Sequence, residues 1–127
     1  ATTSGDTILV IGAGGQLGLE LTHELRQLYG ASRVVAADVR APKDAETHQA
    51  GPFELLDVLD KQRLEDVVRQ YRPTQVYHLA ALLSATAEKN PKFGWQLNMD
   101  GLFNVLDAAV GLGVKQVYWP SSIAVFG

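Results

Sequence analysis

"ILVIGAGGQLGLEL", Ile8 to Leu21, carries an apolar run into a cluster of glycines and out again into an apolar, helix-forming stretch. Glycine loses more backbone freedom on folding than any other residue, so ordered elements avoid it unless the backbone needs it. Gly12, Gly14, Gly15 and Gly18 fall within seven positions, at the junction of two elements. The stretch reads as a strand, a tight turn and the start of a helix, and the rest of the chain decides what that turn is for.

The 127 residues match one ordinary domain and are enough to bury a core. Hydrophobic residues make up 46% and charged residues 20%, as in soluble globular chains. A net charge of −3 leaves no electrostatic footprint for nucleic acid. No stretch approaches the roughly 18 apolar residues of a membrane span. The opening ATTSGD lacks the basic start and apolar segment of a signal peptide. We therefore expect a cytoplasmic protein with no nucleic-acid or membrane partner. The absence of cysteine removes disulfides, thiolate metal sites and cysteine catalysis together. His23, His48 and His78 lie far apart with no metal-ligand spacing, so no metal site is expected.

Apolar runs with β-branched content occur at Thr7–Ile11, Arg33–Ala37, Gln75–Leu79 and Gln116–Tyr118, and a shorter strand candidate, Phe53–Leu55, follows Gly51-Pro52. Continuous rather than alternating apolar runs predict strands covered on both faces, as in a parallel sheet. Helical patterns lie between them. Leu17, Leu21, Leu25 and Leu28 form one stripe, and Leu64, Val67, Val68 and Tyr71 a second, opened by Asp60 as N-cap. A third runs through Trp95, Met99, Leu102, Val105, Leu106 and Ala109 and is ended by Gly111 and Gly113. Asp38–Pro52 is polar, is interrupted by Pro42, and reads as a surface loop. The order β-α-β-loop-β-α-β-α-β predicts an α/β fold: a doubly wound, Rossmann-type parallel sheet with right-handed crossovers.

In that setting the glycines answer to a dinucleotide. Gly12 takes a backbone shape that a side chain blocks, Gly15 lets backbone N–H groups approach a pyrophosphate, and Gly18 lets the helix pack closely on the sheet. Gly14 adds a further permissive position. Asp38 stands 20 residues beyond Gly18 at the end of the second strand, where a carboxylate accepts hydrogen bonds from a ribose diol. A carboxylate there repels a 2′-phosphate and favours NAD over NADP, while Arg40 is the nearby group that accommodates such a phosphate. A glycine-rich turn with a purely structural role is the competing reading.

The spacing Gly12-x-x-Gly15-x-x-Gly18 resembles the GxxGxxG of the extended short-chain dehydrogenases/reductases, the NAD-dependent epimerase/dehydratase family. The resemblance runs through nearly the whole chain. LLDVLD, Leu55–Asp60, is similar to the segment that contacts adenine, and maps that role onto Asp57 and Val58. HLAA, His78–Ala81, matches the segment that lies against the cofactor; NMDGLFNVLDAA, Asn98–Ala109, is similar to the family's NxxGxxNxLxAA helix. PSSIAVFG, Pro120–Gly127, resembles the SSxxVYG segment, which implies Ser122 as the catalytic hydroxyl and Ser121 as its neighbour. The implied cofactor site comprises Gly12, Gly15, Gln16, Leu17, Gly18, Asp38, Val39, Arg40, Asp57, Val58, Leu79, Ala80, Ala81, Leu83 and Asn98. Within the family, HLAALLSATAEKNP and WPSSIAVFG are most similar to the short-chain type of L-threonine 3-dehydrogenase. That similarity implies Ser84, Ser121 and Ser122 as substrate contacts, L-threonine or a related small molecule as substrate, and a homodimer built on helices including Asn90–Gly111.

Blander readings stand beside these. Asp57 can cap a local turn, and a histidine ending an apolar strand, such as His78, is usually a buried neutral side chain rather than a catalyst. Asn98 and Gly101 share a helix face and fit packing; Phe93, Trp95 and Phe103 fit a core or a dimer contact. Family catalysis also uses a Tyr-x-x-x-Lys pair. Tyr29, Tyr71, Tyr77 and Tyr118 are followed four residues on by Arg33, Gln75, Ala81 and Ser122, so no such pair occurs here. We therefore expect residues 1–127 to be the NAD-binding, amino-terminal part of an enzyme whose substrate domain lies beyond them, inactive as they stand. A nucleotide-sugar epimerase or dehydratase and a non-catalytic NAD-binding module are the alternatives.

Overall fold

The computed structural model describes residues 6–14, 16–41, 51–79 and 91–119. Its elements are β1 (Ile8–Ile11), α1 (Gln16–Tyr29), a short 3-10 turn (Ala31–Arg33), β2 (Val34–Asp38), β3 (Phe53–Leu55), α2 (Lys61–Tyr71), β4 (Gln75–His78), α3 (Pro91–Leu112) and β5 (Gln116–Tyr118). The strands form one five-stranded sheet in the order β3-β2-β1-β4-β5, and every pairing is parallel. This is the doubly wound Rossmann-type arrangement that the alternation of apolar runs and helical stripes predicts.

β1 is the centre of the sheet, and all four of its residues are buried because helices cover both faces. Side chains alternate along a strand, so Leu9 and Ile11 enter one core with Leu64, Val67 and Val68 of α2 and Val105 and Ala108 of α3. Ile8 and Val10 enter the opposite core with Ala13 and Leu25.

The helices end where their local chemistry stops them. Asp60 caps α2 by accepting from the Arg63 N–H at 3.2 Å. α3 runs on through Gly111 and stops at Gly113, whose φ of 81° reverses the chain. There the Val114 N–H donates to the Ala109 carbonyl at 3.0 Å, a Schellman closure. Of the two glycines expected to end this helix, Gly113 does so and Gly111 is part of it.

α1 differs from its expected stripe. Leu17 and Leu28 are 59% and 75% exposed, and the buried face runs Gly18, Thr22, Leu25 with Leu21 and Tyr29 beside it. The close fit at Gly18 sets the rotation of the helix and outranks leucine spacing. Arg26 of α1 fastens the start of β2 to the residue before β3. Its Nε and Nη2 donate to the Val34 carbonyl at 3.3 and 3.2 Å, and Nη2 donates to the Pro52 carbonyl at 2.9 Å. Gly51 leaves room for this, since a Cβ there would stand 2.6 Å from Arg26 Nε.

Candidate functional site

β1 lies between β2 and β4, and the chain leaves these strands in opposite directions along the sheet. Such a switch point opens a crevice at the carboxyl ends of the strands, where doubly wound folds bind ligands. Ile11, Asp38, Leu55, His78 and Tyr118 end the five strands at this edge.

The turn after β1 is built against the end of β2. Gly12 has φ 85°, a left-handed conformation that disfavours side chains. The N–H groups of Gly12 and Ala13 both donate to the Ala37 carbonyl, at 2.8 and 3.1 Å. The Gly14 N–H donates to Asp38 Oδ2 at 2.7 Å, and the Val39 N–H to Asp38 Oδ1 at 2.6 Å. An ionised carboxylate offers about four acceptor positions, so two remain on Asp38 for a pair of hydroxyl donors. A Cβ on Gly14 would stand 2.6 Å from Asp38 Oδ2. Gly14 is therefore the residue that makes space for this carboxylate, a role the sequence reading did not assign. A Cβ on Gly18 would meet the Gly12 carbonyl oxygen and come within 2.8 Å of Ala13 Cα, so α1 sits directly on the turn and its amino end faces the crevice. Leu17 is exposed there, and Gln16 is placed as the first residue of α1.

The second part of the site is the segment from Leu56 to Asp60. The Leu56 N–H donates to the Asp38 carbonyl at 2.8 Å, which starts the segment beside the end of β2. Asp57 is exposed; its Oδ1 accepts from the Leu59 N–H at 3.0 Å and its carbonyl from the Asp60 N–H at 2.9 Å. The local turn role of Asp57 is thus present, with its other carboxylate oxygen turned to no donor among the described residues. Arg63 closes the base of the segment: Nε donates to the Leu55 carbonyl at 3.1 Å, and Nη2 pairs with Glu54 at 2.7 Å. Tyr71 donates to the other Glu54 oxygen at 2.5 Å. Burial and this bond push the Tyr71 phenol up to about 12. Asn104 of α3 donates Nδ2 to the Val58 carbonyl at 2.9 Å, and a Cβ on Gly101 would stand 2.7 Å from Val58 Cγ2. Neither Arg63 nor Asn104 figures among the expected site residues. The available signal for Asn104 was its place as the second asparagine of the NxxGxxNxLxAA match, one turn beyond Gly101.

At β4, Leu79 is half-buried, and its N–H donates to the Ile11 carbonyl at 2.8 Å. His78 is 5% exposed, and its Nδ1 has no partner among the described residues. Burial lowers it to about 4, so the imidazole is neutral near pH 7 and contributes no charge to the crevice. Val39 and Arg40 follow β2 on the surface. Asn98 is placed in the first half of α3. Gly15, Ala80, Ala81, Leu83, Ser84, Ser121 and Ser122 lie outside the described residues. No acidic or histidine cluster able to hold a metal occurs among the described residues, and no described helix is long and apolar enough to cross a membrane.

Residues 8–127 match the NAD dependent epimerase/dehydratase family. An uncharacterized epimerase/dehydratase of Staphylococcus saprophyticus is 49% identical over 120 residues, which cover 94% of this chain and 37% of the relative. The chain thus spans little more than a third of the length of that protein. A solved structure of a partial consensus L-threonine 3-dehydrogenase shares 48% identity over 95% of this chain and 38% of its own, with a TM-score of 0.84. The Thermus thermophilus UDP-glucose 4-epimerase, solved in complex with NAD, shares 29% over 87% of this chain and 36% of its own, with a TM-score of 0.74.

Proposed function

The chain belongs to the NAD-dependent epimerase/dehydratase family, and on that premise we propose that it is the amino-terminal, NAD-binding part of an L-threonine 3-dehydrogenase. The reaction would be oxidation of L-threonine to 2-amino-3-oxobutanoate. The observation that carries the cofactor is the Asp38 carboxylate, oriented by the Gly14 and Val39 N–H groups with two acceptor positions left for a ribose diol. The observation that favours threonine is the 48% identity to a threonine dehydrogenase, against 29% to a UDP-glucose epimerase over a similar part of the chain.

In this reading the turn from Gly12 through Gly18, with Gly15, Gln16 and Leu17, receives the pyrophosphate at the amino end of α1. Asp38, with Val39 and Arg40 beside it, binds the adenosine ribose, and Asp57 and Val58 face the adenine. Leu79, Ala80, Ala81, Leu83 and Asn98 line the nicotinamide end. NAD supplies the hydride acceptor when bound. Ser122 hydrogen-bonds the substrate hydroxyl as its proton leaves, with Ser121 and Ser84 holding the amino acid. The base is the tyrosine of a Tyr-x-x-x-Lys pair in the remainder of the longer protein. Phe103 and Val110 of α3, 53% and 87% exposed and seven residues apart on one stripe, support a homodimer through this helix.

The test is NADH formation by the longer protein with L-threonine and, separately, conversion of a nucleotide-sugar to its epimer. Threonine-dependent NADH formation is expected. Epimerisation of the sugar with no turnover of threonine would overturn the substrate and leave the cofactor site standing.

A further inference from the structure

We propose that Asn104 is the positioning residue for the Asp57 carboxylate, and that α3 thereby sets selection of the adenine base. The proposal rests on the reading of Asp57 and Val58 as the adenine subsite. The link is one peptide unit, the one joining Val58 to Leu59. Its carbonyl accepts from Asn104 Nδ2 at 2.9 Å, and its N–H donates to Asp57 Oδ1 at 3.0 Å. Fixing both ends of a planar group fixes its orientation. The direction of the Asp57 carboxylate therefore follows from the amide of a residue 46 positions beyond Val58.

Gly101 makes the approach possible. It lies one turn before Asn104 on the same face of α3, and any side chain there would strike Val58 Cγ2 at 2.7 Å. Val58 also packs against the core that holds Val105 and Ala108 of α3. The other polar tie between α3 and this region, among the described residues, is the Lys61–Asp107 ion pair at 3.4 Å, with both side chains more than half exposed. Exposed pairs of this kind hold geometry weakly. Within the segment, Leu56 and Asp60 are fastened at its two ends. Asn104 is the brace, among the described residues, that reaches its exposed middle from another element.

The chemistry gives a selective readout. Adenine carries an exocyclic amino donor that a carboxylate accepts, and hypoxanthine carries a carbonyl oxygen at that position. Parent chain should therefore prefer NAD over nicotinamide hypoxanthine dinucleotide. Asn104→Ala and Asn104→Asp both remove the donor, and the second preserves side-chain volume. In each, NAD affinity should fall about 3- to 10-fold, the scale of one lost hydrogen bond, with affinity for the hypoxanthine analogue nearly unchanged. The measurement is calorimetric titration of both dinucleotides into the longer protein and each variant, with thermal unfolding recorded beside it. An unchanged preference, or a parallel loss for both dinucleotides, overturns the positioning role while the adenine subsite stands. A parent chain that binds both equally, or neither, ends the adenine reading of Asp57 and this proposal with it.

Discussion

The Gly14 amide and the Asp38 carboxylate are 2.7 Å apart, so the turn after β1 and the end of β2 act as one unit. A methyl group on Gly14 would stand 2.6 Å from the carboxylate oxygen, and the carboxylate must move to admit it. Gly14 is exposed, so the Gly14→Ala chain should fold with little change in its unfolding midpoint. Its NAD affinity should fall about tenfold, the equivalent of roughly 1.4 kcal/mol. Titration of NAD into both proteins measures this; equal affinities would show that Asp38 does not need its present orientation.

His78 makes stability depend on pH in a definite direction. Burial holds it at about 4 in the folded chain against an ordinary 6.5, so the unfolded chain binds the extra proton between those values. The full contribution is present above pH 6.5 and is lost as pH falls toward 4, on the order of 3 kcal/mol in total. Urea unfolding of the parent and His78→Leu at pH 7 and pH 5 should show a steeper loss in the parent. Identical losses would mean that the imidazole is not buried neutral.

These features were unequally legible in the sequence. β1 and β5 could be read closely because apolar β-branched runs flanked by turn residues have few other uses; β3 was marked by Gly51-Pro52 before it, and Asp60 announced its cap by preceding an amphipathic stretch. The rotation of α1 was not legible, because its buried face contains Gly18 and Thr22 and leaves Leu17 and Leu28 outside. Hydrophobic periodicity weights leucine over a glycine that must touch the turn. The brace from Asn104 and the anchor from Arg26 left no periodic trace, since each joins one side chain to a backbone carbonyl of a different element. The glycines and Asp38 were legible as a constellation, yet the bond between Gly14 and Asp38 needed the parallel register of β1 and β2 to become visible.

The stripe of Phe103 and Val110 gives an assembly prediction. Replacing both by lysine places charge in any interface formed by that face of α3 and should convert a dimeric longer protein to a monomer by sedimentation. Continued dimerisation would place the interface elsewhere.

Ser122→Ala in the longer protein should lower kcat with threonine by about 10²-fold, as expected for loss of one hydrogen-bond donor to the reacting oxygen. NAD affinity should stay close to the parent value, because the proposed dinucleotide contacts lie elsewhere in the chain. Ser121→Ala should cost much less. Equal small losses in the two variants would reduce Ser122 to a turn residue.

The central claim is that the Asp38 carboxylate selects an unphosphorylated adenosine ribose. Calorimetric titration of the 127-residue chain with NAD and with NADP tests it most directly, repeated on Asp38→Ala. Tighter binding of NAD by the parent, and a narrowed difference in the variant, is the predicted result. Tighter binding of NADP by the parent would contradict it and move ribose selection to Arg40.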